Sequence, residues 1–377
     1  MHLPRQHALL ILRQSLQQKL RHLLRTLRSD DITELVPATV KDRDRTLLGL
    51  PATLGGIGLS SHRETAPLAY QAATALATKV LAPIVDLLEE DSVDHTSQRE
   101  LCREAAQIKQ TELLASLHFR DRMSILESSS QLGRKWLLAV PTAPRFTIPD
   151  PSIQANLCYR TLASGYAGKC RKCAQPNTLG HDEWCTGRKD YRTSWHEAVK
   201  HHLAAGLRSI PSAKVVVEPF IDRRASRKND IKVVIDDGLD RPVVMEENDL
   251  KVVSLFAPTH QASLRSNGRT TEEKDEVRRL ERERKFAEDM EKRMLRVLAQ
   301  QARRKVTRLP EGREEERAPF CPLVISTGGY QDEETRDKLR EWKNWKMPGV
   351  SYTWMLTSVS VALAKARGRS FLGAINR

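Results

Sequence analysis

At 377 residues the chain has room for two or three domains, and an apolar share of 40% is enough to build real cores. A formal net charge of +14 makes a polyanion the natural partner, although a merely soluble basic protein has the same balance. No window of ~18 uncharged apolar residues exists, so nothing is expected to span a membrane. The opening MHLPRQHALLILRQS has too short an apolar run, and no small-residue cleavage site, for a signal peptide.

Residues 5–28 read as an amphipathic helix, with Leu9, Leu12, Leu16, Leu20, Leu23 and Leu27 at helical spacing. Arg13, Lys19, Arg21, Arg25 and Arg28 make its other side basic, which suits either solvent or phosphate. Gly55-Gly56 and Gly58 interrupt the following stretch. An Ala-rich helix is expected from about Thr65 to Leu88, then helices over Gln98–Leu117 and Asp121–Leu132. Residues 1–140 therefore read as an all-helical bundle. The four prolines of PTAPRFTIPDP, residues 141–151, cannot continue a helix and mark a linker. A further helix is expected over Ser152–Ser164.

The segment CRKCAQPNTLGHDEWC carries the first chemical cluster. Cys170 and Cys173 are separated by two residues, and His181 and Cys185 follow within one small loop. Structural zinc takes four thiolate or imidazole ligands in a closed tetrahedron, and this spacing supplies them. Little apolar material surrounds the cluster, so the metal would carry much of the local folding energy. Cys158 is an alternative fourth ligand, farther off in sequence. A redox C-x-x-C pair is the competing reading, but no βαβ pattern flanks it. With six cysteines in all, three of them here, a reducing compartment fits better than a disulfide framework.

Residues 190–208 form another expected helix, with Trp195, Val199, Leu203 and Leu207 on one face and His196, Lys200, His201 and His202 making a basic side. His196 is a candidate for touching phosphate or assisting catalysis, although a surface histidine is more often neither. Three short strands are expected between Val215 and Leu255. Glu218 sits in the first, before Pro219, and is a candidate third acid. The competing reading pairs it with Arg223 or Arg224. Asp230 opens DIKVVI, and Asp249 opens DLKVVSL after Asn248.

Residues two apart on a strand share a face, so Asp249 and Lys251 point the same way, and Asp230 joins them if the strands pair. Two carboxylates suit Mg²⁺, which keeps several waters and accepts phosphate oxygens. The metal can acidify a bound water, and the lysine can orient it or steady developing charge. That is what phosphodiester cleavage requires. The bland alternative is a pair of turn-capping aspartates.

Residues 270–318 are dominated by Glu, Arg and Lys, with opposite charges at helical spacing as in Glu281–Lys285 and Glu288–Lys292. Phe286, Met290, Met294 and Leu298 make a narrow apolar stripe suited to packing on the sheet. PFCPLVISTGGY then reads as a buried strand with a Gly-Gly turn. The tail, with Trp342, Trp345, Trp354 and a helix over Ser358–Arg369, should close the core.

The order of these parts, LPATLGGIGL, RKWLLAVP, C-x-x-C with GHDEWC, WH, VEP, RKND, NDLKVVSL and PLVISTGG, resembles the C-terminal half of non-LTR retrotransposon reverse transcriptase proteins that carry a restriction-like endonuclease. The resemblance implies an α+β chain in three parts. Residues 1–140 would be a helical thumb-like bundle, and 141–189 a linker and CCHC zinc knuckle. Residues 190–377 would be a PD-(D/E)xK-like mixed sheet with flanking helices and a charged helical insertion at about 266–318. Asp230 then matches the first acid, Asp249 and Lys251 the D-x-K, and Glu218 a less constant acid. The implied cofactors are structural Zn²⁺ and catalytic Mg²⁺. The implied role is nicking target DNA in the nucleus to prime reverse transcription, with element RNA and the element's polymerase part as partners. Two departures stand: Asn229 occupies the usual proline position, and no aromatic-x-Asp-Asp acid pair occurs, so no reverse transcriptase activity is expected from these residues alone. The alternatives are a non-catalytic DNA- or RNA-binding module and an inactive remnant.

Overall fold

A computed structural model describes residues 4–11, 42–59, 62–81, 97–162, 168–222, 227–236, 244–264, 276–307 and 319–374. Most of the expected first helix, with its basic stripe, lies outside these residues, as do Arg223 and Arg224. Among the described residues the chain is α+β, with thirteen helices and a four-stranded mixed sheet.

The first half is helical. It contains α1 (Arg5–Ile11), α2 (Asp42–Gly49), α3 (His62–Leu81), α4 (Gln98–Ser116), α5 (Phe119–Ser129), α6 (Gln131–Lys135) and α7 (Asp150–Thr161). Ser97 and Glu100 form a capping box at the start of α4, each side chain meeting the other's backbone N–H. The helix expected over Asp121–Leu132 is split at Ser130. Its hydroxyl accepts from the Gly133 N–H at 3.0 Å and caps α6, a bond a serine offers only outside helical backbone. The glycines of LPATLGGIGL make a tight turn: a Cβ on Gly56 would lie 2.1 Å from the Leu50 carbonyl oxygen. Arg160 of α7 fastens that turn by donating to Gly56 O at 2.6 Å and Ala52 O at 2.8 Å. The proline-rich stretch is tied down as well. Gln6 donates to Ala139 O and Phe146 O and accepts from the Ile148 N–H.

Next come α8 (His181–Trp184), α9 (Lys189–Leu207), β1 (Ala213–Val217), β2 (Phe220–Asp222), β3 (Arg227–Lys228), β4 (Ile231–Ile235) and β5 (Val244–Val253). Then follow α10 (Pro258–Leu264), α11 (Glu276–Val306), β6 (Phe320–Ser326), α12 (Glu333–Asn344) and α13 (Gly349–Leu372). The sheet order is β1-β4-β5-β6, antiparallel except for the parallel β5–β6 pair. A parallel neighbour needs a long crossover, and α10 with α11 supplies it.

Alternation sorts the sheet into two faces. Ile231, Val233, Leu250, Leu323 and Ile325 face one way and bury against Val199, Leu203 and Leu207 of α9 and Met355 and Val359 of α13. Val253 and Val324 face the other way, toward Met290, Met294, Val297 and Leu298 of α11. The apolar stripe of the charged helix thus packs on the sheet; the Phe286 side chain lies outside the described residues. The same cluster contains Leu47, Leu113, Met123, Ile125 and Tyr159, so the helical half and the sheet share one continuous core. No described helix is long and apolar enough to cross a membrane.

Two strand boundaries differ from expectation. The segment from Val215 to Ile221 is not one strand. Glu218 takes φ of 56°, and Pro219, with no N–H to donate, separates β1 from β2. Asp249 does not open its strand but lies in the middle of β5. Asn248, with its turn-like composition, is buried inside that strand, because the pairing with β4 runs on through Glu246 and Glu247.

Candidate functional site

The cysteine–histidine cluster is built by a small loop. Cys170 N–H donates to Gln175 O, and Ala174 N–H returns to Cys170 O, closing the turn after the first cysteine. Gly180, at φ of 79°, turns the chain into α8, where a Cβ would lie 2.1 Å from the Phe256 ring. His181 and Cys185 then stand one helical turn apart, joined by Cys185 N–H to His181 O. The ligand atoms of Cys170, Cys173, His181 and Cys185 all lie within 4.8 Å of one another.

These four residues fit a metal such as zinc. Zinc–sulfur bonds of about 2.3 Å place two tetrahedral sulfurs roughly 3.8 Å apart, and the Cys170 and Cys185 sulfurs are 3.8 Å apart. The Cys173 sulfur lies 3.2 Å from His181 Nε2. Burial opposes ionisation at Cys170, but backbone N–H groups of Lys172 and Cys173 outweigh it and lower that thiol. Burial, with its neighbouring thiols, pushes Cys185 up to about 12. Without a cation the cluster cannot hold several thiolates, and a metal relieves that conflict. Cys158, on α7, is not a member of the group.

The second cluster lies on the α11 face of the sheet. β4 and β5 pair Ile231 with Asn248, and one step further the register sets Asp230 beside Asp249. Directly opposed residues share a face, and the two carboxyls stand close enough to perturb each other's ionisation. Asp230 Oδ2 also accepts from the Leu250 N–H at 2.6 Å and meets His196 Nε2 of α9 at 3.1 Å. Asp249 Oδ2 accepts from Lys305 Nζ of α11 at 2.6 Å. Both side chains reach the Leu250 carbonyl oxygen too, His196 at 3.1 Å and Lys305 at 3.4 Å. Three oxygens, from Asp230, Asp249 and the residue after it, are therefore bracketed by an imidazole and an ammonium. Lys251 donates to Gln301 Oε1 of α11 at 2.8 Å.

Electrostatics splits the acid pair. Burial raises Asp249, and the neighbouring Asp230 carboxyl adds to it, moving it to about 6 despite Lys305. Burial also opposes ionisation of Asp230, but His196, Asp249 and the Leu250 N–H outweigh it and hold this carboxyl low. The bond to Asp230 in turn raises His196. Two neighbouring carboxyls whose ionisation is pushed apart in this way lose their protons one after the other.

Glu218 stands apart in its contacts. Its N–H donates to Asp230 O, but its carboxylate is held by Lys200 at 2.7 Å and Lys228 at 3.3 Å. Sequence reasoning missed Lys305 and Gln301. The available signal was spacing: Met290, Met294, Leu298, Gln301 and Lys305 recur at four, four, three and four residues, so both polar groups continue the packed stripe. It also missed a buried ionic network. Arg367 of α13 pairs with Glu127 at 3.2 Å and Glu183 at 2.8 Å, and Glu183 further accepts from Ser254 and Thr327.

No protein-family model matches this chain, and no curated protein matches it. The fold and its two clusters define it as an α+β protein with a Cys₃His group capable of holding a metal and a paired-aspartate site on a mixed sheet.

Proposed function

We propose that the chain is a Mg²⁺-dependent DNA endonuclease module of a non-LTR retrotransposon protein, with a PD-(D/E)xK-type sheet, a structural zinc knuckle and a thumb-like helical part. The observation that carries this is the trio of oxygens on Asp230, Asp249 and Leu250, directed at the His196 imidazole and the Lys305 ammonium. Asp230 and Asp249 would hold Mg²⁺, which when bound supplies an acidified water and offsets charge on the scissile phosphate. A divalent cation at Asp249 would compete with Lys305 for the same carboxylate oxygen. Lys251, two residues along the same strand face, orients the attacking water, and Gln301 keeps its ammonium directed. His196 holds Asp230 ionised. The net charge of +14 retains the phosphate backbone without reading sequence. The target is chromosomal DNA, so the site of action is the nucleus, with element RNA and the polymerase part of the element as partners.

One contact favours a second reading, binding without cleavage: the Lys305 ammonium already neutralises Asp249. Supercoiled plasmid with Mg²⁺ separates the two. Nicking is expected from the parent chain and not from Asp249→Ala, with DNA retained by both. Equal nicking by both would remove these aspartates from the mechanism. Retention without nicking by the parent would leave the binding reading.

A further inference from the structure

Beside the aspartates, on the far side of Lys251, a cleft of about 420 Å³ opens between β5, α10 and α11. We propose that this cleft receives a single unpaired nucleotide, its phosphate on Lys251 and Arg304 and its base against Trp195. The proposal deepens the nuclease reading and rests on it for the ligand being nucleic acid.

Size, charge and an unmet donor all support it. The volume lies in the range of small-molecule sites, roughly 300–1,000 Å³, too small for a duplex but adequate for one nucleotide. Lys251 of β5 and Arg304 of α11 stand at the lining with His260 of α10 between elements. Burial lowers His260 most, and the positive fields of Arg304 and Lys251 lower it further, so both cations act on the same space. Glu183 is the one acid in the lining, but Arg367, Ser254 and Thr327 already hold its carboxylate. The cleft therefore favours an anion.

Trp195 supplies the third point. It is 3% exposed, it lines the cleft, and its indole N–H is buried without a hydrogen-bond partner among the described residues. A buried donor left unpaired is costly, and a carbonyl or ring nitrogen of a base would satisfy it. Since Lys251 shares a strand face with Asp249, the captured nucleotide would flank the cleaved bond. Cutting would then prefer DNA that is unpaired beside the nick.

The test is calorimetric titration of the full chain, without metal, by dAMP, inorganic phosphate and uncharged deoxyadenosine. The nucleotide should bind one per chain, and each of the other two about tenfold more weakly or not at all. Arg304→Gln, at an exposed position, should weaken dAMP by roughly tenfold with an unchanged thermal midpoint, Trp195→Phe should weaken it as much while lowering the midpoint because the ring is buried, and Asp249→Asn should leave it within about twofold. Phosphate binding as well as dAMP would reduce the cleft to an anion patch and overturn the proposal. So would absent dAMP binding, or full binding by Arg304→Gln. Because this readout needs no cleavage, dAMP binding in a chain that never nicks DNA would reject the nuclease reading alone, and nicking without dAMP binding would reject the cleft alone.

Discussion

Asp249 gives up its proton less readily than Asp230, and this difference has a measurable consequence. Asp249 lies near 6 because it is half-buried and set beside Asp230. Below that pH it holds a proton that a divalent cation must displace. Mg²⁺ or Tb³⁺ affinity should therefore fall as pH drops through about 6, by roughly fivefold for the unit between 6 and 5. Luminescence titration of bound Tb³⁺ at pH 7.5, 6 and 5 measures it, and a flat profile would separate the pair from metal binding. The sign for stability follows the same proton. With its folded-state value above the unfolded one, Asp249 favours the metal-free fold most below the ordinary carboxylate range, and that contribution is lost as pH rises toward 6. Lys305→Met removes the ammonium that competes for Asp249, at a side chain only 20% exposed. It should strengthen cation binding at neutral pH while making the metal-free chain less stable there, because Asp249 then faces Asp230 without its counter-charge.

The metal loop and the crossover helix have different sources of stability, and two substitutions separate them. The cysteines of the Cys₃His loop cluster with Ala374, while Leu179 and Trp184 anchor the rest of the loop on the shared core, so metal should order the ligand turn around Cys170 and Cys173 rather than the whole segment. About one Zn²⁺ per chain is expected by elemental analysis, and Cys173→Ser should lower that occupancy. Unchanged zinc in the variant would remove Cys173 from the site. Helix α11, by contrast, is held by packing. Met294 is fully buried between that helix and the sheet, and Met294→Ala should cost about 2–5 kcal/mol in urea unfolding, with zinc content unaffected. The apolar stripe made the helix legible in the sequence, and the strand alternation made β4 legible. Neither pattern showed that Gln301 and Lys305 meet β5, since the 270–318 region is crowded with similar charges. Asn248 misled in the opposite direction. Its composition suggests a turn, but cross-strand pairing on both sides of β5 overrides that preference.

Across the whole molecule the halves are joined by charge as well as by apolar contact. Arg367 on the last helix holds Glu127 from the helical half and Glu183 from the metal loop, all three buried. Burial raises Glu127 to about 7 even with that partner. Arg367→Ala would leave two buried carboxyls without their cation, at a cost of about 3–5 kcal/mol in denaturant unfolding. A single unfolding transition, shifted as a unit, is expected because both halves share one core. Cys170, Cys173, His181 and Cys185 were readable from spacing alone, because a C-x-x-C turn and one helical turn are local geometries that few residues determine. The facing of Asp230 and Asp249 was readable only conditionally: alternation says which way each side chain points, but not that β4 and β5 are neighbours. Lys305, Gln301, Arg367 and the cleft beside Lys251 are products of tertiary structure. Each joins residues 50 or more positions apart, and local periodicity does not say which distant surface a helix will cover.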